Sequence, residues 1–476
     1  MKGLIVAGTH SGCGKTTIAM GFMAAFRKRG MKVAPFKVGP DFIDPGFHKQ
    51  ICDRPSRNLD GWMLSKEYNK EVFYKNSYSC DVAIVEGVMG LFDGYDGRSE
   101  AGSTAEMAKW LSLPVLLIVD ARSMSRSATA MVYGFENFDR KLKWAGVVLN
   151  RLGSNRHLQF IREAFEDHVD IPLLGGLIRE NWLNLPERHL GLVTQDEKPL
   201  QPDYIDRLAD LIENSLNLNM LLDNLPEPDV RKVSKKPELH NRYPAKIGVA
   251  RDEAFCFYYQ DNFDLLKRYG AELVFFSPLQ DRSLPQNIDG LYLGGGYPEL
   301  FLETLSENRE LIEEIKKLGN NGFPIYAECG GFMYLTEGIE DKKLCFYPMA
   351  GIFPVKIMML DRLKALGYRE VTLKASNLLG KPGEKIRGHE FHYSEIKEIT
   401  GKIDPVVEHN RVNLVYQLSD RPGLKIREEG YMKKNVLGSY VHLHFGSNPQ
   451  IAENFVRFFA EGLPVAVHGL KLEIGK

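Results

Sequence analysis

A chain of 476 residues is longer than one ordinary hydrophobic core supports, so two or three domains are expected. Apolar residues at 44% and charged residues at 26% are the proportions of a soluble globular protein, which excludes disordered and fibrous classes. The formal net charge of −1 leaves no global cationic excess, so nucleic acid is not an expected partner; no apolar run is long enough to span a bilayer, so neither is a membrane.

The first half repeats one rhythm: a short apolar run, a loop rich in Gly, Asp or Ser, then an amphipathic stretch. The runs lie at 3–7, 32–38, 81–85, 115–119, 146–149 and 173–177. Apolar runs alternating with helical patterns predict a parallel, doubly wound α/β sheet. Ligands of such sheets bind at the carboxyl ends of the strands, so the residues after each run carry the most information.

After the first run, Gly8-Thr-His-Ser-Gly-Cys-Gly-Lys-Thr-Thr17 leads into a helical segment. This reads as a phosphate-binding loop with Gly12, Gly14, Lys15, Thr16 and Thr17 as ATP contacts. Lys15 reaches the β- and γ-phosphates, and the Thr16 hydroxyl ligates Mg²⁺. The spacing departs from G-x-x-x-x-G-K-T, because that first glycine position is Thr9 and Gly8 stands one residue earlier. The second run leads to Lys37-Val-Gly-Pro-Asp41-Phe-Ile-Asp44, the third to Glu86-Gly-Val-Met-Gly-Leu-Phe-Asp93. Lys37 is a further ATP contact, and Asp41 and Glu86 are hard oxygen ligands for Mg²⁺ beside Thr16. Asp44, next to a proline, reads equally as a turn former or helix cap. Asn150, closing the fifth run, reads either as a reader of an adenine edge or as a helix cap, and Asp120 after the fourth is similarly two-sided.

Residues 223–245 hold four prolines, many charges and little apolar periodicity, the composition of a linker. The expected domains are therefore 1–222 and 246–476. The α/β rhythm restarts at 246–250, 271–276, 290–293 and 323–327. The last run ends in Glu328-Cys329-Gly-Gly, the layout of a strand delivering a nucleophile onto a tight turn before a helix, whose amides are expected to lower the thiol pKa. Gly294, Gly295 and Gly296 offer backbone N–H groups to an oxyanion, and His442 in Ser439-Tyr-Val-His-Leu-His444 supplies a base. The six cysteines show no C-x-x-C, so a disulfide framework is not expected, and without a secretory signal the expected setting is cytoplasmic. His389 and His392 have no nearby ligand to complete a metal site.

Residues 246–476 resemble class I glutamine amidotransferases, and 1–222 resemble dethiobiotin-synthetase-like P-loop ATPases. The whole chain, through VEGVMGLFDG (85–94), LPERHLGL (185–192), ECGGFMYL (328–335) and RGHEFHYS (387–394), resembles the cobyrinic acid a,c-diamide synthase family. That family includes the hydrogenobyrinate and nickel-sirohydrochlorin enzymes. The resemblance implies a glutamine-hydrolysing carbon–nitrogen ligase with Cys329 and His442 catalytic. Its implied partners are L-glutamine, ATP and a tetrapyrrole, and its cofactor is Mg²⁺. Two peripheral acetates are amidated through acyl phosphates, with Asp44 and Asp93 at the substrate site. One departure stands out: ordinary class I enzymes carry Glu two residues after the histidine, where this chain has His444. Two alternatives are cobyric acid synthase and a switch ATPase with an inert second domain; His10, where such switches carry lysine, counts against the latter. The ring, its metal and the oligomeric state are not legible, with a homodimer left open.

Overall fold

The computed structural model describes residues 1–183, 187–188, 191–192, 194–196, 198–226, 242–397, 412–421 and 424–461. The chain folds as two compact units, Met1–Lys236 and Pro237–Lys476. The described part of the expected linker begins in helix and ends in strand; 227–241 lie outside the described residues.

In the first unit seven parallel strands make one sheet: β1 (Lys2–Gly8), β2 (Val33–Val38), β3 (Arg57–Leu59), β4 (Val82–Glu86), β5 (Val115–Asp120), β6 (Trp144–Leu152) and β7 (Leu173–Ile178). Their spatial order is β3-β2-β4-β1-β5-β6-β7. The chain leaves β1 in one direction for β2 and later returns to the other side for β5, so a ligand crevice opens at the carboxyl end of β1. The helices are α1 (Lys15–Lys28), α2 (Ile43–Cys52), α3 (Lys66–Ser77), α4 (Thr104–Leu111), α5 (Arg126–Phe138), α6 (Asn155–Glu166), α7 (Pro202–Ser215) and α8 (Leu218–Asn224). Leu4 and Val6 of β1 enter the apolar layer shared with α1 and α7, while Ile5 and Ala7 enter the opposite layer. Burial on both faces is why these strands read as continuous apolar runs. Ser65, Ser103 and Ser154 cap α3, α4 and α6 by accepting a backbone N–H three residues on. β3 was invisible as a run, being three residues of which two are polar.

A two-residue hairpin, β8 (Glu187–Arg188) with β9 (Gly191–Leu192), falls in the LPERHLGL motif; positions 185, 186, 189 and 190 of that motif lie outside the described residues.

The second unit starts with parallel β10 (Ala245–Ala250), β11 (Ala271–Phe276), β12 (Gly290–Leu293) and β13 (Ile325–Glu328). Helices α9 (Gln260–Arg268), α10 (Leu302–Glu307) and α11 (Arg309–Asn320) connect them, and α12 (Gly330–Leu335) follows β13. A small sheet of β14 (Thr336–Glu340), β15 (Phe346–Pro348), β16 (Phe353–Met359) and β19 (Ser394–Lys397) comes next in space. The main sheet gains β17 (Ala365–Leu373), β18 (Lys385–His392), β20 (Asn413–Arg421), β21 (Leu424–Lys433), β22 (Val436–Ser439) and β23 (His442–Leu443), before α13 (Pro449–Glu461). Its order is β11-β10-β12-β13-β22-β21-β20-β17-β18-β23. Only Tyr440 and Val441 separate β22 from β23, yet β23 pairs with β18 at the far end of that order. The antiparallel limb must therefore curl back until β18 lies beside the end of β22. This places Gly388 and His389 of RGHEFHYS, whose first six residues lie on β18, against the histidine segment.

Candidate functional sites, one on each unit

In the first unit, β1 delivers the phosphate loop and α1 begins at Lys15. Gly12 (φ 80°) and Gly14 (φ 101°) adopt left-handed conformations that side-chain-bearing residues avoid. A Cβ on Gly14 would stand 2.1 Å from Asn150 Nδ2. Asn150 itself donates to the Cys13 carbonyl (2.9 Å) and so braces the loop. The helix-cap reading of Asn150 fails, because α6 is capped by Ser154. Asn150 also lines a pocket of about 170 Å³ with Gly14, Thr17, Ile18, Arg151 and Leu183. Asp120 holds Arg151 at 2.6 Å and Arg122 at 2.9 Å beside that pocket.

Below the loop sits a buried charge cluster. Lys37 Nζ lies 2.5 Å from Asp44 and 2.9 Å from Glu86. The Thr16 hydroxyl lies 2.7 Å from Glu86 Oε1 and 3.4 Å from Asp44 Oδ2. The other Glu86 oxygen meets His48 Nε2 at 2.7 Å, and His48 Nδ1 faces Ser56 at 3.2 Å. Burial alone would lower Lys37, but Asp44, Glu86 and Asp41 hold it protonated. Burial would likewise raise Glu86, yet Lys37 and His48 hold it ionised. Lys15, also buried, is lowered by burial in spite of Cys13 and further by Lys37.

The structure exchanges the expected places of two aspartates. Asp41 is half-buried, accepts the N–H groups of Ile43 and Asp44 at 2.8 and 3.1 Å at the start of α2, and stands 3.8 Å from Lys37. It is therefore Asp41 that serves the helix start, while Asp44 enters the cluster beside Thr16. One helical turn explains this: Asp44 and His48 are four apart on α2 and face the same way. Asp93 is exposed and accepts the Gly90 N–H at 2.9 Å. Its loop is zipped to β1 by Gly87 N–H to Val6 O and Leu91 N–H to Gly8 O, both 2.8 Å.

In the second unit Cys329 follows β13 with φ 48° and ψ −105°, a strained elbow for a non-glycine residue. A Cβ on Gly331 would lie 2.2 Å from the Leu293 carbonyl, so only glycine permits that approach. The expected lowering of the thiol is not found. Burial, reinforced by Glu299, pushes Cys329 up, and α12 spans only six residues. His442 is also buried and neutral, pushed down to about 3 by burial and His392 against Glu390.

The three loop glycines divide their work rather than sharing it. The Gly294 amide is not free for an oxyanion, because it donates to the Tyr258 hydroxyl at 2.7 Å. Gly295 leaves room for the histidine: its Cβ would stand 2.2 Å from His442 Cε1. Gly296 N is 3.2 Å from a Cβ placed on Gly330, so this stretch of backbone lies beside the cysteine elbow.

His442 stacks on His389, its cross-strand partner, at 4.9 Å and 16°. His389 Nδ1 meets the Tyr259 hydroxyl at 2.8 Å, and the Tyr259 ring lies 4.5 Å from His444. His444 Nδ1 accepts the Gly446 N–H at 3.1 Å, capping the turn after β23. His392 bridges Glu390 (3.1 Å) and the Ser394 carbonyl (2.8 Å). Sequence reading missed His48, Tyr258, Tyr259 and the use of Glu328; only Glu328 lay inside a quoted motif.

Residues 4–193 match the CobQ/CobB/MinD/ParA nucleotide binding domain family, and residues 246–450 match the CobB/CobQ-like glutamine amidotransferase domain family. Over 457 residues the chain is 43% identical to a protein of Leptospira interrogans named cobyrinate a,c-diamide synthase, covering 95% of this chain and 97% of that one. A protein of the same name from Syntrophotalea carbinolica is 45% identical over 456 residues, covering 96% and 98%. Among solved structures, PurLQS from Thermotoga maritima aligns with a TM-score of 0.33 and 16% identity, over 45% of this chain and 99% of that one. The signal recognition particle receptor FtsY of Elizabethkingia anophelis, in complex with GDP, gives 0.28 and 16%, over 47% and 62%. Among the described residues no helix is long and apolar enough to cross a membrane.

Proposed function

The chain belongs to the cobyrinate a,c-diamide synthase family, and from that membership we propose that it amidates the a and c acetate carboxylates of a cobyrinate-type tetrapyrrole, using glutamine and ATP. The observation that carries the reading is the presence of two chemically different loops, each at the carboxyl end of a parallel strand in its own unit: a glycine-rich loop after β1 and a cysteine elbow after β13.

On the amidotransferase unit, residues 246–476, the Cys329 thiol passes its proton to His442 as sulfur attacks the glutamine δ-carbon. The Gly296 amide donates to the oxyanion. His442 returns the proton to the departing ammonia, and water then cleaves the thioester to glutamate. A neutral imidazole and a protonated thiol at rest suit this order, because the thiolate forms only as the proton moves.

On the ligase unit, residues 1–222, the acetate carboxylate attacks the γ-phosphorus of ATP and ADP leaves. Ammonia then displaces phosphate from the acyl phosphate. Gly12, Gly14, Lys15 and Thr17 cradle the phosphates, Lys37 faces the transferring group, and Asn150 with its pocket takes the base. Asp44 and Asp93 border the acceptor. The donors Thr16, Glu86 and Asp44 are hard oxygens and fit Mg²⁺, with Asp41 at the rim rather than inside. Bound there, Mg²⁺ supplies charge neutralisation on the β- and γ-phosphates. A cytoplasmic setting and a homodimer complete the proposal.

Acceptor labelled with ¹⁸O in its acetates tests it. One labelled oxygen is expected in inorganic phosphate per amide formed, with ADP as co-product. Label in AMP, or unlabelled phosphate with full amidation, would rule out the acyl phosphate.

A further inference from the structure

The glutaminase centre has no acid two residues after its histidine, so something else must hold that histidine in register with the cysteine. Glu328, directly before Cys329, is fully enclosed in the unit. Its Oε1 accepts the Leu443 N–H at 3.0 Å and the Tyr326 hydroxyl at 2.7 Å; its Oε2 accepts the Tyr292 hydroxyl at 3.0 Å. Leu443 directly follows His442. One carboxylate therefore ties the residue before the nucleophile to the residue after the base, between strands that are not themselves paired.

The other end of the same segment is fixed too. Glu429 accepts the Tyr440 N–H at 2.7 Å and the Ser439 hydroxyl at 2.6 Å, and the Cys329 N–H donates to the Ser439 carbonyl at 2.7 Å. The imidazole is confined between the His389 ring on one side and the Gly295 backbone on another. With the ring walled in, holding the backbone at Tyr440 and Leu443 is enough to aim it.

We infer that Glu328 is a positioning residue for glutamine hydrolysis, replacing the missing triad acid by gripping the backbone beside His442 rather than its ring. A buried carboxylate is costly without donors, and three converging donors on Glu328 offset part of that cost while fixing its orientation. A shift of about 1 Å in a catalytic group can cost on the order of a hundredfold in rate, which sets the size of the expected effect.

This inference rests on Cys329 and His442 being the glutaminase pair, and the test separates the two claims. Full-length Glu328→Ala, Glu328→Gln and Cys329→Ser are assayed for glutamine hydrolysis and for ATP-dependent amidation driven by ammonium. Glu328→Ala is expected to lower glutaminase kcat by on the order of a hundredfold with KM for glutamine little changed, while ammonium-driven amidation persists. Glu328→Gln keeps an oxygen that accepts the Leu443 N–H and is expected to recover most of kcat. Unchanged kcat in Glu328→Ala overturns the inference. So does a parallel loss of glutamine- and ammonium-driven rates in both Glu328 variants, which assigns the residue to folding. If Cys329→Ser still hydrolyses glutamine, the underlying site assignment fails, whatever Glu328 does.

Discussion

At the end of β1 the site gathers ionisable groups, Lys15, Lys37, Asp44 and Glu86, all buried with His48 behind them; Lys37 and Glu86 hold each other charged, while burial, Asp41 and Glu86 push Asp44 well above the usual carboxylate range. At the end of β13 the proposed reacting pair, Cys329 and His442, is neutral, a thiol pushed up and an imidazole pushed down, and position is set by backbone contacts and ring faces. The difference follows from the chemistry each must do. Phosphoryl transfer involves little covalent chemistry for the protein, so counter-charge and positioning are nearly all it can contribute. Amide attack needs a proton moved between two groups and an oxyanion met by an amide, so neutral groups and exact backbone placement serve better.

The largest expected effect comes from separating the sites. Cys329→Ser should remove glutamine-driven amidation by more than about a thousandfold, as loss of a nucleophile does elsewhere. High ammonium at alkaline pH should still drive amide formation, measured as mass loss of the acceptor. A folded variant dead with both nitrogen sources would break the two-site comparison.

Glu86→Gln removes the one charge that touches Thr16, Lys37 and His48 together. Amidation from either nitrogen source should fall by on the order of a hundredfold or more, with glutamine hydrolysis at least partly intact. Asp44→Asn should resemble it, and Asp41→Asn should be milder, since Asp41 mainly holds the start of α2. Equal damage from Asp41→Asn and Asp44→Asn would contradict the exchange of roles.

Within the second site, His442→Ala should lower glutaminase kcat by on the order of a hundredfold. His444→Ala should cost less, because His444 caps a turn and meets the stack at the Tyr259 ring. The reverse ranking in steady-state kinetics would reassign the base.

What the sequence disclosed divides along physical lines. The strands buried on both faces, the phosphate loop and the Cys329 elbow were visible because runs and glycines are local signals. The limb from β17 to β21 was not: β21 starts with five exposed residues, Leu424 to Glu428, and shows neither a run nor clean alternation. That limb brings His389 to His442, so the stack was equally hidden. Asp41 and Asp44 could be placed near the loop but not sorted, since only the phase of α2 decides which turns inward. Glu328 was quoted within its motif, yet its partners Tyr292, Tyr326 and Leu443 are distant in the chain. Long-range partners leave no local trace.

The smallest expected effect is on stability in mild acid, and it tests whether the second unit is built around neutral groups. His442 and His444 titrate near 3 in the fold against 6.5 unfolded, both lowered by burial, and His389 is lowered by burial and by His442. The unfolded chain therefore binds more protons below pH 6.5, so stability is full above that value and falls as pH drops towards 3. At pH 5.5 His442 and His444 should each cost about 1.4 kcal/mol relative to pH 8, and His389 acts in the same direction. Glu328 acts in the opposite sense. Burial raises it to about 7 from 4.5, so its protonated form favours the fold and adds about 2 kcal/mol at pH 5.5. Glu429, also raised by burial, acts in the same direction, while Glu390, held near 2, counts only below about 4.5. His442 and His444 against Glu328 leave a net loss of about 1 kcal/mol, which His389 enlarges and Glu429 reduces, to be read from hydrogen exchange of peptides within 246–461 at the two pH values. Glu328→Gln cannot take up the offsetting proton, so its acid loss should be larger than that of the unaltered chain. An acid response unchanged by Glu328→Gln would mean that this carboxylate keeps its charge in the fold down to pH 5.5, and the contrast between a charged site and a neutral one would then hold only for the cysteine and histidine themselves.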